Sequence, residues 1–167
     1  MNATWRAITW RQFGAAIDML ENALLVCPEA VWGDRIGQHE FWYLAYHTLF
    51  YLDFYLSESE VGFAPPAPYT LGELDPEGEM PDRVYTKTEL HTYLVHGREK
   101  CRATIAALSD ERANQRCGFG RREMSVAELL LYNLRHVQYH AAQLNLLLRQ
   151  RTDSAPRWVG RIQVPLD

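Results

Sequence analysis

The chain lacks most of the signatures that would settle its chemistry at a glance. None of its 167 residues fall in an unbroken apolar run approaching the ~20 residues of a membrane span. The N-terminal stretch MNATWRAITWRQFGAAIDML carries arginines and an aspartate where a signal peptide needs a continuous apolar core. Cysteine is scarce: Cys27, Cys101 and Cys117 are odd in number, widely spaced and form no CxxC, which argues for reduced thiols rather than a disulfide framework. There is no basic block and no Lys/Arg stripe. Lys+Arg 17 against Asp+Glu 21 leaves a formal charge of −4, so nucleic acid is a poor partner. GxSxG, P-loop and HExxH motifs are missing, which removes support for serine-hydrolase, nucleotide-binding and zincin readings. Strand-like alternation is nowhere sustained, and no internal repeat occurs. The expectation is a soluble, cytoplasmic protein with neither membrane nor nucleic acid as partner.

What is present is helical periodicity. A hydrophobic fraction of 47% and a charged fraction of 23% are ordinary for a globular chain, and the length suits one domain spanning 1–167. Four helices are predicted, over about 4–27, 38–56, 87–108 and 125–151, followed by an irregular tail, 152–167, whose Trp158 is expected to pack back on the body. Pro28 stops the first, and PEAVWGDRIG follows as a loop. The second, running to Leu56, is aromatic nearly all round, so it should be buried on more than one face. Between helices two and three lies a long Pro-rich loop, from Ser57 to about Tyr85, of the kind that forms lids or binding segments. Thr86 with Glu89, and Ser125 with Glu128, are capping-box patterns that open the third and fourth helices. A short loop carrying Cys117, Gly118 and Gly120 separates those two. The fold class is all-α, a four-helix bundle in which sites are built from inward-facing side chains.

The informative residues are histidines. Stepping along the fourth helix by three and four gives Leu129, Asn133, His136, His140, Gln143 and Leu147, a stripe with a polar centre and apolar ends. Two imidazoles on an apolar face are costly unless hydrogen-bonded or bound to a metal. His47 lies on the second helix among Tyr43, Leu44, Phe50, Tyr51 and Phe54, none of them charged. A lone histidine on such a face is more often a satisfied core residue, yet from a separate helix it can complete a set of three ligands. Three neutral imidazoles hold a divalent ion and leave at least one position open, the mark of catalytic sites. Gln143, Asn133 and Tyr46 are candidates to support the ligands or to contact substrate. His39, His91 and His96 read as capping or surface residues, and Asp53 as either a supporting group or an exposed one. Cys117, near Arg116 and Arg121, has no paired histidine and is weak evidence for a nucleophile.

The aromatic run WYLAYHTLFYLDFYL, the Pro-rich loop and HVQYHAAQL, in that order, resemble the DinB superfamily across most of the chain. The resemblance implies a four-helix bundle, often dimeric, with His47, His136 and His140 as metal ligands. Gln143 matches a glutamine commonly found just after the last ligand. It further implies activity like that of relatives which transfer or isomerise with low-molecular-weight thiols such as bacillithiol or mycothiol. The functional expectation is a divalent-metal-dependent enzyme, with zinc, nickel or iron activating a thiol or water against a small electrophile, as a thiol S-transferase would. A non-catalytic bundle holding a metal or small ligand, and a structural helical domain, stand as alternatives. The expected partners are a small-molecule substrate, such a thiol among the candidates, and a second copy of the chain.

Overall fold

A computed structural model describes residues 3–37, 39–119 and 123–166. Within them the chain is mostly helical: α1 (Ala3–Val26), α2 (Glu29–Trp32), α3 (Phe41–Leu56), α4 (Lys87–Ala107), α5 (Asp110–Asn114) and α6 (Val126–Thr152). The all-α expectation holds, with a single two-residue ladder, β1 (Arg35–Ile36) against β2 (His39–Glu40), as the named sheet. The four long helices close a ring, α1 packing on α4 and α6, and α3 packing on the same two.

Two of the long helices, α4 and α6, start where a side-chain cap supplies a partner for free N–H groups. Thr86 Oγ1 accepts from the Glu89 N–H at 3.2 Å, and the Glu89 carboxylate accepts from the Thr86 N–H at 2.8 Å. Both halves of the box expected at α4 are therefore made. At α6 the Ser125 half is present, Oγ accepting from the Glu128 N–H at 3.2 Å. Pro28 ends α1 and stands at the start of α2, where its missing N–H costs nothing. The aromatic α3 is buried at thirteen of its sixteen positions, as an element wedged between α4, α6 and the following loop must be. Fully burying side chains such as Phe50 and Leu52 contributes about 1.5–3 kcal/mol each.

Several local expectations are corrected. PEAVWGDRIG is not a plain loop: Glu29–Trp32 makes one helical turn, and the Trp32 Nε1–H donates to the Tyr85 carbonyl at 3.0 Å. Four residues are too few for periodicity to register. His39 does not start a helix. It lies in β2, with its ring 5.2 Å from Tyr43, and α3 begins at Phe41. The expected start at Gln38 lies outside the described residues, as do Gly120 and Arg121. The segment between α4 and α6 holds α5, capped by Ser109 Oγ accepting from the Arg112 N–H at 3.0 Å. Trp158 is 69% exposed, and the tail docks through Ile162 instead. Ile162 fills a notch opened by Gly14, where a Cβ would meet its Cδ1 at 2.3 Å. The Trp10 Nε1–H then donates to the Val164 carbonyl at 3.0 Å.

Asp53 is neither exposed nor part of the His47, His136 and His140 group. At 1% exposure its side chain accepts from Lys100 Nζ at 2.5 Å and from the Tyr93 hydroxyl at 3.1 Å, with His96 Nε2 at 3.5 Å. The cluster ties α3 to α4. Removing its charge leaves the half-buried Lys100 ammonium without its counter-charge. Asp53→Asn is expected to cost about 2–3 kcal/mol, and with roughly 2–4 °C per kcal/mol at this size the melting temperature falls by several degrees. A loss under about 0.5 kcal/mol in thermal or urea unfolding would mean the cluster is not a structural tie.

The α4 cap carries its own pH signature. Arg83, followed by the Thr86 backbone and hydroxyl, holds the Glu89 carboxyl down at about 2. A carboxyl depressed in the folded state stabilises above its ordinary value and loses that effect as pH falls through the folded one. The advantage of the wild type over Glu89→Gln, about 0.5–1 kcal/mol for a cap of this kind, should therefore be full at pH 5 and shrink steadily toward pH 2. Urea midpoints across that range measure it; a constant gap contradicts the assignment.

Candidate metal centre

The contact of α3 with α6 brings three imidazoles to one point. His47 projects from the middle of α3, and His136 and His140, one turn apart, project from the middle of α6. Ring centroids lie 5.4 Å (His47 to His136), 5.1 Å (His47 to His140) and 4.5 Å (His136 to His140) apart. One ring nitrogen from each falls within 4.8 Å of the others, and all three side chains are half-buried. Tyr51 packs against both His47 and His136, at 4.8 and 5.7 Å, and gives the cluster an aromatic wall.

Two of the rings are oriented by acceptors on their outward nitrogens. The Nδ1 of His140 lies 2.7 Å from Gln143 Oε1, and that of His47 lies 2.8 Å from Glu73 Oε2. A carboxylate and an amide oxygen only accept, so Nδ1 carries a proton in both and Nε2 is the nitrogen available to an ion. That is the tautomer a metal ligand needs. Burial, reinforced by the nearby His47, pulls the His140 imidazole down to about 4 against the opposing pull of Gln143, so it stays neutral near pH 7. The donor set thus fits a divalent ion: three imidazoles, two of them held by outer acceptors, in a half-buried cleft. These three histidines could hold such an ion.

The supporting residues divide. Gln143 stands where the sequence stripe puts it, one turn past His140. Asn133 is fully buried one turn before His136, where its Nδ2 donates to the Leu52 carbonyl at 3.0 Å and links α6 to α3. Tyr46 is buried, with its ring 4.9 Å from Tyr85 and 5.7 Å from Tyr69. Burial, then the charge of Glu73, pushes its phenol up, so it remains protonated. Tyr46 borders a cavity of about 970 Å³ formed with Leu71, Glu73, Met80 and Tyr85. The three histidines do not line that cavity. His136 lines a groove of about 480 Å³ along α6 with Tyr132, Arg135 and Tyr139. His47 and His140 are not among the residues that line this groove.

Glu73 is the residue that sequence reading passes over. It belongs to a short 3₁₀ turn, Leu71–Leu74, capped by Thr70. In the sequence it is one of several carboxylates in GELDPEGEM, and its neighbours Leu71 and Leu74, both exposed, give no sign that this one turns inward. The cysteines take no part. All three are buried; burial pushes Cys27 up to about 11 and Cys101 higher still.

No curated protein and no solved structure matches the chain. A family model does, that of the DinB superfamily, over residues 12–144, a span reaching from α1 into α6 and containing His47, His136 and His140. Most of the chain is covered by that match, the histidines it encloses converge in space, and the chain therefore belongs to the DinB superfamily.

Proposed function

We propose that this protein is a divalent-metal-dependent enzyme in which His47, His136 and His140 hold the ion and a coordinated thiol or water attacks a small electrophile. The observation that carries the reading is the convergence of three imidazoles whose outward nitrogens, on His47 and His140, are already committed to acceptors. An ion bound there supplies a Lewis-acid centre that lowers the pKa of the thiol or water it binds. Zinc, nickel and iron all suit an all-imidazole set with an open position.

The chain's own residues do the rest. Glu73 and Gln143 fix the ligand rings, so that no reorganisation is required when the ion enters. Tyr51 and Tyr55 pack against His136 and keep water from that side of the cluster. The groove beside His136 is large enough for a small substrate, with Arg135 at its rim to meet an anionic group. A low-molecular-weight thiol and an electrophile meeting there make a thiol S-transferase the preferred reading, and Tyr46 and Asn133 stand behind the site rather than in it.

The wider reading follows the same lines. The ring of long helices is a four-helix bundle forming a single domain, 1–167, with the Pro-rich loop 57–85 closing one side. No helix among the described residues is long and apolar enough to cross a membrane, which suits a cytoplasmic setting. Leu131, Tyr139 and Leu146 leave apolar surface on the outer face of α6, the kind of face that pairs two copies of a chain.

Protein purified without an affinity-tag metal should carry about one divalent ion per chain by elemental analysis. His136→Ala should lose both that ion and any turnover of electrophilic test substrates with cellular thiols. Stoichiometric metal without turnover would favour a binding role for the same bundle. Metal retained by His136→Ala, or no stoichiometric metal in the wild type, would sink the metal-centred reading.

A further inference from the structure

The proline-rich stretch between α3 and α4 is largely exposed, yet one carboxylate in it is turned into the interior. Glu73 is 2% exposed on its side chain. Oε2 meets His47 Nδ1, while Oε1 is buried with no hydrogen-bond partner among the described residues. The main chain at the same residue is held as well, the Tyr51 hydroxyl donating to the Glu73 carbonyl at 3.0 Å. Tyr43 completes the set, its phenol pushed up by burial and by the neighbouring Glu73 charge. Tyr43, His47 and Tyr51 are four residues apart in succession, so a single stripe of α3 grips one residue of the loop.

An ionised carboxylate in such a place costs several kcal/mol unless charge or hydrogen bonds compensate it. The imidazole N–H and a hydrogen bond from the Tyr43 phenol compensate it only in part, and Oε1 without a partner adds to the deficit. A dication on the far nitrogen of the same ring would supply what is missing, by polarising the Nδ1–H and by placing positive charge across the imidazole. Gln143 makes the matching bond to His140, but it is uncharged and belongs to the same helix as its partner. Glu73 alone among these supports comes from another segment of the chain.

We propose that Glu73 is a positioning residue that makes metal binding and closure of the Leu71–Leu74 turn a single linked equilibrium. This rests on the three-histidine reading above. The ion strengthens the His47–Glu73 bond and so clamps the turn; the clamped turn holds His47 with Nε2 aimed at the ion. Linkage requires the two effects to be equal in free energy. The turn also walls the cavity beside Tyr46, so its closure shapes that side of the protein according to metal occupancy.

Hydrogen exchange of the 70–75 amides, measured on the full chain with and without zinc alone, is the test. The wild type should show slower exchange there when zinc is added. Glu73→Ala should bind zinc about 10–100-fold more weakly in competition with a chromophoric chelator, and its exchange at 70–75 should no longer respond to saturating zinc. Glu73→Gln, which keeps an acceptor without the charge, should fall between. Gln143→Ala should weaken zinc binding while leaving the zinc response of the turn intact. Wild-type affinity in Glu73→Ala, or a wild-type turn indifferent to zinc, overturns the proposal. A wild type that binds no zinc, nickel or iron instead overturns the reading on which it rests, and that result is read before any variant is made.

Discussion

The packing of α3 against α6 is the constraint from which the rest follows. An aromatic helix with no charge near its middle can only be stable when covered, and α6 covers it with a stripe whose centre is histidine rather than leucine. The interface is therefore apolar at its ends, through residues such as Leu129 and Leu147, and polar at one depth, where His47 faces the pair from α6. Shape and chemistry are not separable here. The same contact that excludes water from Phe50 and Leu52 sets three imidazoles within reach of one another, and Asn133 pins the two helices together by bonding the Leu52 carbonyl.

Buried polarity is distributed with a clear division of labour. On one side of α3, Asp53 is neutralised by Lys100 and bonded to Tyr93, and nothing further is required of it. On another, Glu73 is brought in from outside the helices and left only partly compensated. A closed ion pair braces two helices, whereas an incompletely satisfied carboxylate next to a ligand ring is poised to respond to charge arriving on the other side of that ring.

How much of this can be read from the chain depends on the range of the signal. Long helices announce themselves through periodicity and caps, and Thr86 with Glu89 or Ser125 is legible because the interaction is local, three residues apart. His136 and His140 are legible for the same reason. His47 joins them only by an argument about cost, since an imidazole in an aromatic run needs a partner from somewhere. Glu73 has no such cue: its burial is decided by how a thirty-residue connection folds back, and no local rule distinguishes it from Asp75 or Glu79. Trp158 shows the converse failure. A large aromatic in a tail suggests docking, but the notch in α1 is cut by Gly14 to the size of Ile162, and the indole is left outside.

The burial of the sulfurs has a bearing on chemical durability. Cys27, Cys101 and Cys117 all lie in the interior, and the thiols of Cys27 and Cys101 are held well away from the anionic form that reacts with oxidants and disulfides. Small thiols and disulfides exchange with a protein's sulfurs only where these are accessible and can ionise. With its own sulfurs sealed in the interior, this chain is protected from capture as a mixed disulfide, and inactivation by peroxide would have to begin elsewhere.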